Sequence, residues 1–154
     1  MERSDTCLFC QIIAGTLESA IIWQDDQFIA FLDINPAMTG QVVLVSKKHY
    51  DSDLSDMPDV IYEKFFLAAR EVSTLLKKAL DVKRVALVVE GMGVNHAHIK
   101  LYPLPGLSAS FQEMWGKERV FFKTYEGYIT TQLGPTVDIT MLKKLAQHIA
   151  SFMN

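Results

Sequence analysis

Apolar residues recur along this chain with two different periods. Between Val60 and Leu80, the residues Ile61, Phe65, Ala68, Val72, Leu75, Leu76 and Ala79 follow one another at spacings of three and four, which places them on one face of a long amphipathic helix. Asp56, with Pro58 expected in the first turn and Asp59 behind it, offers the capping chemistry of such a helix start. A last helix is predicted over about Asp138 to Phe152, with Leu142, Leu145 and Ile149 inward. The segment Cys7 to Ala14 is mostly apolar and stops at Gly15, as a short helix or turn would.

Elsewhere the runs are short and rich in β-formers. Ile21 to Trp23 and Phe28 to Asp33 flank the turn-prone Asp25-Asp26, a predicted hairpin. After the breaks at Asn35-Pro36 and Thr39-Gly40 comes a third strand, Gln41 to Val45. Val85 to Glu90 and His96 to Tyr102, joined through Gly91-Met92-Gly93, form a second predicted hairpin. Beyond Pro105, Val120 to Phe122 and Tyr128 to Thr131 are candidate short strands, and Trp115 and Phe121 are read as core. Strands joined by short turns pair antiparallel, so the order predicts an α+β fold: an antiparallel sheet of about five strands with a long helix.

Composition narrows the function classes. A chain of 154 residues with 49% hydrophobic side chains suits one domain over 1–154. No apolar run is long enough to span a bilayer, and no secretory leader is apparent, so a cytoplasmic location is expected. A formal charge of −3 gives no broad basic surface, which argues against non-specific nucleic-acid binding and in favour of a small ligand. The two cysteines, Cys7 and Cys10, have C-x-x-C spacing. In a reducing compartment that reads as a metal half-site or a redox pair; with no strand before it, metal is the better reading.

The candidate chemistry lies on the last predicted strand. Polar and apolar residues alternate from His96 to Tyr102, so a strand sets His96, His98, Lys100 and Tyr102 on one face and Ala97, Ile99 and Leu101 on the other. Two imidazoles and an ammonium in a row can meet a phosphate. They are equally what a half-exposed edge strand shows.

The run Val94-Asn95-His96-Ala97-His98-Ile99-Lys100-Leu101-Tyr102-Pro103 resembles the histidine triad signature, His-x-His-x-His followed by apolar residues and often proline. Cys7 to Gly15, Phe28 to Ile34, Gly40 to Val45 and Lys47-Lys48-His49 are similar, in order and spacing, to the zinc-containing bacterial branch of that family. The resemblance covers residues 7–103 and leaves 104–154 as a C-terminal extension. It implies an antiparallel α+β homodimer that binds purine nucleotides and cleaves at their α-phosphorus. By position, His98 is the implied nucleophile, passing through a nucleotidyl-histidine, with His96 and Lys100 beside it. Asp33 matches the carboxylate that accepts from ribose hydroxyls. Phe31 and Ile34 match residues around the base, where ordinary core packing is the alternative. Cys7, Cys10, His49 and His96 match the ligands of one structural Zn2+ per chain, a closed tetrahedral set. His148 is expected to be a solvated helix residue.

Three departures from the family pattern bear on catalysis. Lys100 stands at the third triad position, and Gln41 stands where another histidine near the phosphate is usual. The loop before the triad lacks the family's Gly-Gln-Ser/Thr stretch, leaving backbone amides at Gly91 and Gly93 as candidate phosphate donors, with Glu90 nearby. The implied function is a hydrolase or transferase acting on a nucleoside phosphoramidate, dinucleoside polyphosphate or other nucleotide conjugate. The alternatives are a non-catalytic nucleotide-binding or regulatory protein, and a zinc-stabilised interaction domain.

Overall fold

The long helix cannot begin where Asp56 suggests, because Met57 precedes a proline. Contact with the proline ring disfavours helical geometry in the preceding residue, and Met57 is extended, with φ −73° and ψ 140°. In the computed structural model, which describes residues 6–114, 123–125, 127 and 136–153, Asp53 therefore caps a separate 3-10 turn at Leu54–Asp56. Pro58 then serves as the N-cap of the helix α2, Asp59–Leu80. The amides of Ile61 and Tyr62 both donate to the Pro58 carbonyl. Asp56 caps nothing, a correction that follows from the Met57-Pro58 step.

The other elements are α1 (Leu8–Ala14), β1 (Ile21–Gln24), β2 (Phe28–Leu32), β3 (Val42–Ser46), β4 (Arg84–Val88), β5 (His98–Leu104) and α3 (Ile139–Ala150). Cys7 is the N-cap of α1, and Gly15, at φ 74°, ends that helix by returning its amide to the carbonyls of Gln11 and Ile12. The β1–β2 hairpin turns where Asp25 Oδ1 accepts from the amides of Gln27 and Phe28. At α3 the Asp138 carboxylate caps the amides of Thr140 and Met141. The candidate strands Val120 to Phe122 and Tyr128 to Thr131, with Trp115 and Phe121, lie outside the described residues.

The strands form one five-stranded sheet in the order β1-β2-β3-β5-β4, and all four pairings are antiparallel. Its two faces carry different cores. Ala30, Leu44, Ile99 and Leu101 pack against Phe65, Val72 and Leu76 of α2 and Leu142 and Ile149 of α3. On the opposite face, Ile29, Phe31, Val43 and Val45 pack against Phe9 and Ile12 of α1. The short helix covers only part of that second face, and a cleft opens beside it.

Strand β5 starts two residues later than the alternation predicts. His96 lies in a tight turn, its amide donating to the Val94 carbonyl at 2.9 Å. Regular pairing begins only with His98 opposite Val45. The strand then runs past Tyr102 through Pro103, which sits opposite Val85. Among the described residues, no helix is long and apolar enough to cross a membrane.

Candidate functional site

The turn before β5 separates two histidines that alternation would put side by side. His96 is fully buried and faces α1, where its Nδ1 lies 3.4 Å from Cys7 Sγ and 3.7 Å from Cys10 Sγ. His49, just beyond β3, brings its own Nδ1 within 3.3 Å of Cys10 Sγ. The candidate ligand atoms of all four residues lie within 4.8 Å of one another. With metal–sulfur bonds of about 2.3 Å and metal–nitrogen bonds of about 2.0–2.1 Å, a tetrahedron sets sulfur and nitrogen about 3.5 Å apart. The three sulfur–nitrogen edges of 3.3, 3.4 and 3.7 Å match that spacing.

The tautomers agree as well. His96 Nε2 lies 2.7 Å from the Ser46 carbonyl. A carbonyl only accepts, so Nε2 carries the proton and Nδ1 presents its lone pair to the cysteines. Burial pushes the His96 imidazole down to about 4, against the opposing pull of the Ser46 carbonyl, and the neighbouring His49 and His98 lower it further. Two thiolates and two neutral imidazoles make a donor set for Zn2+, and four protein ligands leave no open position for a substrate.

His98 faces the cleft. Its Nδ1 donates to the His96 carbonyl at 2.7 Å, which by the same reasoning frees the Nε2 lone pair. Burial shifts this imidazole toward its neutral form despite the His96 carbonyl, and the Lys100 ammonium pushes the same way. The Phe9 ring packs in T-shaped contacts against His98, with ring centroids 5.4 Å apart, and against His96 at 5.7 Å, so one α1 side chain touches both.

The cleft has a volume of about 310 Å3. Phe31, Asp33, Ile34, Gly93, His98 and Lys100 all line it, so most of the residues selected from the sequence meet in one place. Register explains this: Phe31 sits opposite Val43, and Val43 opposite Lys100, in a row across three strands. Phe31 is both core and wall, since it packs with Phe9 and Val43 in the smaller core. Ile34 is 49% exposed at the rim and is not core.

Gln41 is the residue that the structure moves. Only 1% exposed, it lies behind Asp33 and does not line the cleft. Its Nε2 donates to Asp33 Oδ2 at 2.7 Å, and its Oε1 accepts from the Ala37 amide at 2.8 Å. The physical reason is its place one residue before β3. Its neighbour Val42 faces the larger core, and its own backbone carbonyl accepts from the Asp33 amide. The other Asp33 oxygen accepts from the Asn35 amide at 2.9 Å.

The connection 89–97 contributes Met92, Gly93 and Val94 to the cleft, with no side-chain hydrogen-bond donor among them. Glu90 accepts from the Tyr125 hydroxyl. Lys100 is the only cationic side chain among the described residues lining the cleft, against Asp33 and Glu18. Wall residues that the sequence reading missed include Leu8, Phe9 and Ile12, which share one face of α1. The i, i+4 spacing of Leu8 and Ile12 and the i, i+3 spacing of Phe9 and Ile12 were the available signal. His148 is exposed, but its Nε2 donates to the Ala79 carbonyl at 3.1 Å.

Fold and site together define a small α+β protein with a histidine-centred cleft next to a Cys2His2 metal group. The chain belongs to the HIT domain family, whose model matches residues 14–104. It is 35% identical over 102 residues to an uncharacterized HIT-like protein of Methanocaldococcus jannaschii, an alignment covering 63% of this chain and 78% of that one. It is 28% identical over 102 residues to an adenylylsulfatase of Arabidopsis thaliana, covering 63% of this chain and 51% of that protein. A zinc-bound histidine triad family protein from Mycobacterium smegmatis has a similar structure, with a TM-score of 0.64, 19% identity and coverage of 95% and 91% of the two chains.

Proposed function

We propose that this protein is a nucleotidyl hydrolase or transferase that cleaves purine nucleotide conjugates at the α-phosphorus through His98. The observation that carries the reading is the His98 tautomer: Nδ1–H is tied to the His96 carbonyl, so the Nε2 lone pair is presented to the cleft. In the first step Nε2 forms a bond to phosphorus and the bond to the leaving group breaks, the leaving group departing with the electron pair and taking up a proton from solvent. In the second step a water oxygen attacks phosphorus, the N–P bond breaks and the imidazole recovers its electron pair, while the water's proton passes to solvent. Lys100 and the Gly93 amide stabilise charge on the phosphoryl oxygens. Asp33 keeps lone pairs for ribose hydroxyls, and Phe31 and Ile34 flank the base. The Arabidopsis thaliana relative named as an adenylylsulfatase supports a reading as a hydrolase of nucleotide conjugates.

Cys7, Cys10, His49 and His96 hold one structural Zn2+ in this reading, fastening α1 to the sheet and leaving no position for substrate. The functional unit is a cytoplasmic homodimer. A second reading, a nucleotide-binding protein with little catalysis, is favoured by the lack of side-chain donors on Met92, Gly93 and Val94.

One experiment separates the two: release of nucleoside monophosphate from adenosine and guanosine phosphoramidates by wild type, His98→Ala and Lys100→Ala. A nucleophile's removal lowers turnover by at least about 10³-fold, and Lys100→Ala is expected to slow it about 10-fold to 100-fold. Wild-type turnover that survives in His98→Ala refutes the His98 mechanism. Nucleotide binding without wild-type turnover supports the second reading.

A further inference from the structure

The family match ends at residue 104, yet the chain beyond it returns to the cleft. Thr136 Oγ1 donates to Asn35 Oδ1 at 2.9 Å, and the Val137 amide donates to the Ile34 carbonyl at 2.9 Å. Both receiving residues line the cleft. A few residues on, Lys143 of α3 forms an ion pair with Glu18, which lines the cleft from the segment after α1. These contacts join residues between 101 and 125 positions apart in the chain. The helix α3, which carries Lys143 and directly follows Thr136 and Val137, is anchored independently, by the buried Leu142, Ala146 and Ile149 in the larger core.

We propose that the segment from Thr136 through α3 is a positioning element of the ligand site, holding the rim formed by Asp33, Ile34 and Asn35 and neutralising Glu18. The proposal rests on the reading of the cleft as a nucleotide site. Asp33 is fixed from three directions: Gln41 holds one oxygen, the Asn35 amide holds the other, and the residues carrying that amide are tied down by Val137 at the Ile34 carbonyl and by Thr136 at the Asn35 side chain. Removing the outermost tie lets residues 34 and 35 move without exposing core, so ligand binding weakens while the reacting groups on β5 stay in place. The Glu18–Lys143 pair acts by charge. An unpaired Glu18 carboxylate at the cleft repels a phosphate-bearing ligand, and its pairing relieves that repulsion.

The test uses the full chain carrying Thr136→Val, Thr136→Ser or Lys143→Met. Thr136 and Lys143 are both exposed, so these variants retain the fold, which thermal denaturation checks. KM and kcat for adenosine phosphoramidate and the Kd for AMP are measured on each. Thr136→Val is expected to raise KM and the AMP Kd about fivefold, the scale of one neutral hydrogen bond, with kcat within about twofold and the Tm nearly unchanged. Thr136→Ser restores the wild-type values, and Lys143→Met raises KM and Kd about threefold in low salt and less in high salt. An AMP Kd in Thr136→Val and Lys143→Met equal to that of wild type overturns the positioning role alone. So does a loss that appears only in the Tm. A wild type that neither binds AMP nor turns over the phosphoramidate overturns both this proposal and the hydrolase reading.

Discussion

Gln41 offers the sharpest test of how the cleft wall is built, because two substitutions of similar size should part company as pH rises. In Gln41→Leu the shape is nearly kept, but the 2.7 Å bond to Asp33 and the 2.8 Å bond from the Ala37 amide are lost. A hydrogen bond to a charged group is worth about 1.5–3 kcal/mol, and an amide left without its partner adds about 1 kcal/mol. Burying a leucine returns part of this, so a net loss of about 2 kcal/mol is expected, or about 4–8 °C in Tm for a chain of this size. Gln41→Glu replaces the donor by a second carboxylate against Asp33. At 2.7 Å two ionised carboxylates would repel by about 6 kcal/mol at an effective dielectric of 20. The variant therefore retains one shared proton in the folded state, which raises the apparent pKa of the pair. A raised folded-state pKa means that the native state binds more protons than the unfolded chain, so stability is present at low pH and is lost as pH rises. Denaturant titrations at pH 5 and pH 8 read this directly. Gln41→Glu should match Gln41→Leu near pH 5 and fall at least 1 kcal/mol below it by pH 8. Equal stability of the two variants at pH 8 would refute the contact.

Two further predictions concern the parts around this wall. Protein purified without added metal should contain about one zinc per chain by elemental analysis, and Cys10→Ser or a strong chelator should lower the Tm and release the amides of α1 to hydrogen exchange; protected α1 amides in zinc-free protein would refute the metal's role. At Gly91, φ is +75° and an added Cβ would lie 2.9 Å from the Ser52 carbonyl oxygen, whereas at Gly93, with φ +93°, it would meet nothing within 4 Å. Gly93→Ala should cost about 1–2 kcal/mol from backbone strain alone, and Gly91→Ala distinctly more; denaturant unfolding giving the reverse order would refute the close approach to Ser52.

The parts of the fold legible in the sequence were those written in local period. The spacing from Ile61 to Ala79 located α2, and Ala97, Ile99 and Leu101 did enter the larger core as their alternation required. The four-residue metal group required residues far apart in the chain, and only the resemblance to a known family connected His49 to Cys10. Other features depended on geometry that no period encodes. Alternation placed His96 beside His98, but it assumes a strand, and the Val94–His96 turn delays the strand until His98. Gln41 was misplaced because a position matching a family's phosphate residue specifies neither a rotamer nor a partner. The contacts of Thr136, Val137 and Lys143 had no local signature at all.

The division of labour between His96 and His98 has a consequence for the whole cleft. A seven-residue helix such as α1 is too short to persist by itself in water. It is held by Phe9 and Ile12 against the sheet and by Cys7 and Cys10 beside the two metal-group histidines. The same seven residues supply Leu8, Phe9 and Ile12 to the cleft. Phe9 makes a T-shaped contact with the His98 ring, while Nδ1 of that imidazole bonds to the backbone of a metal-group residue. Fixing α1 therefore fixes both one wall of the cleft and the ring whose free nitrogen faces it. A metal ion closed to substrate can in this way bear on the chemistry by keeping the His98 imidazole in one orientation.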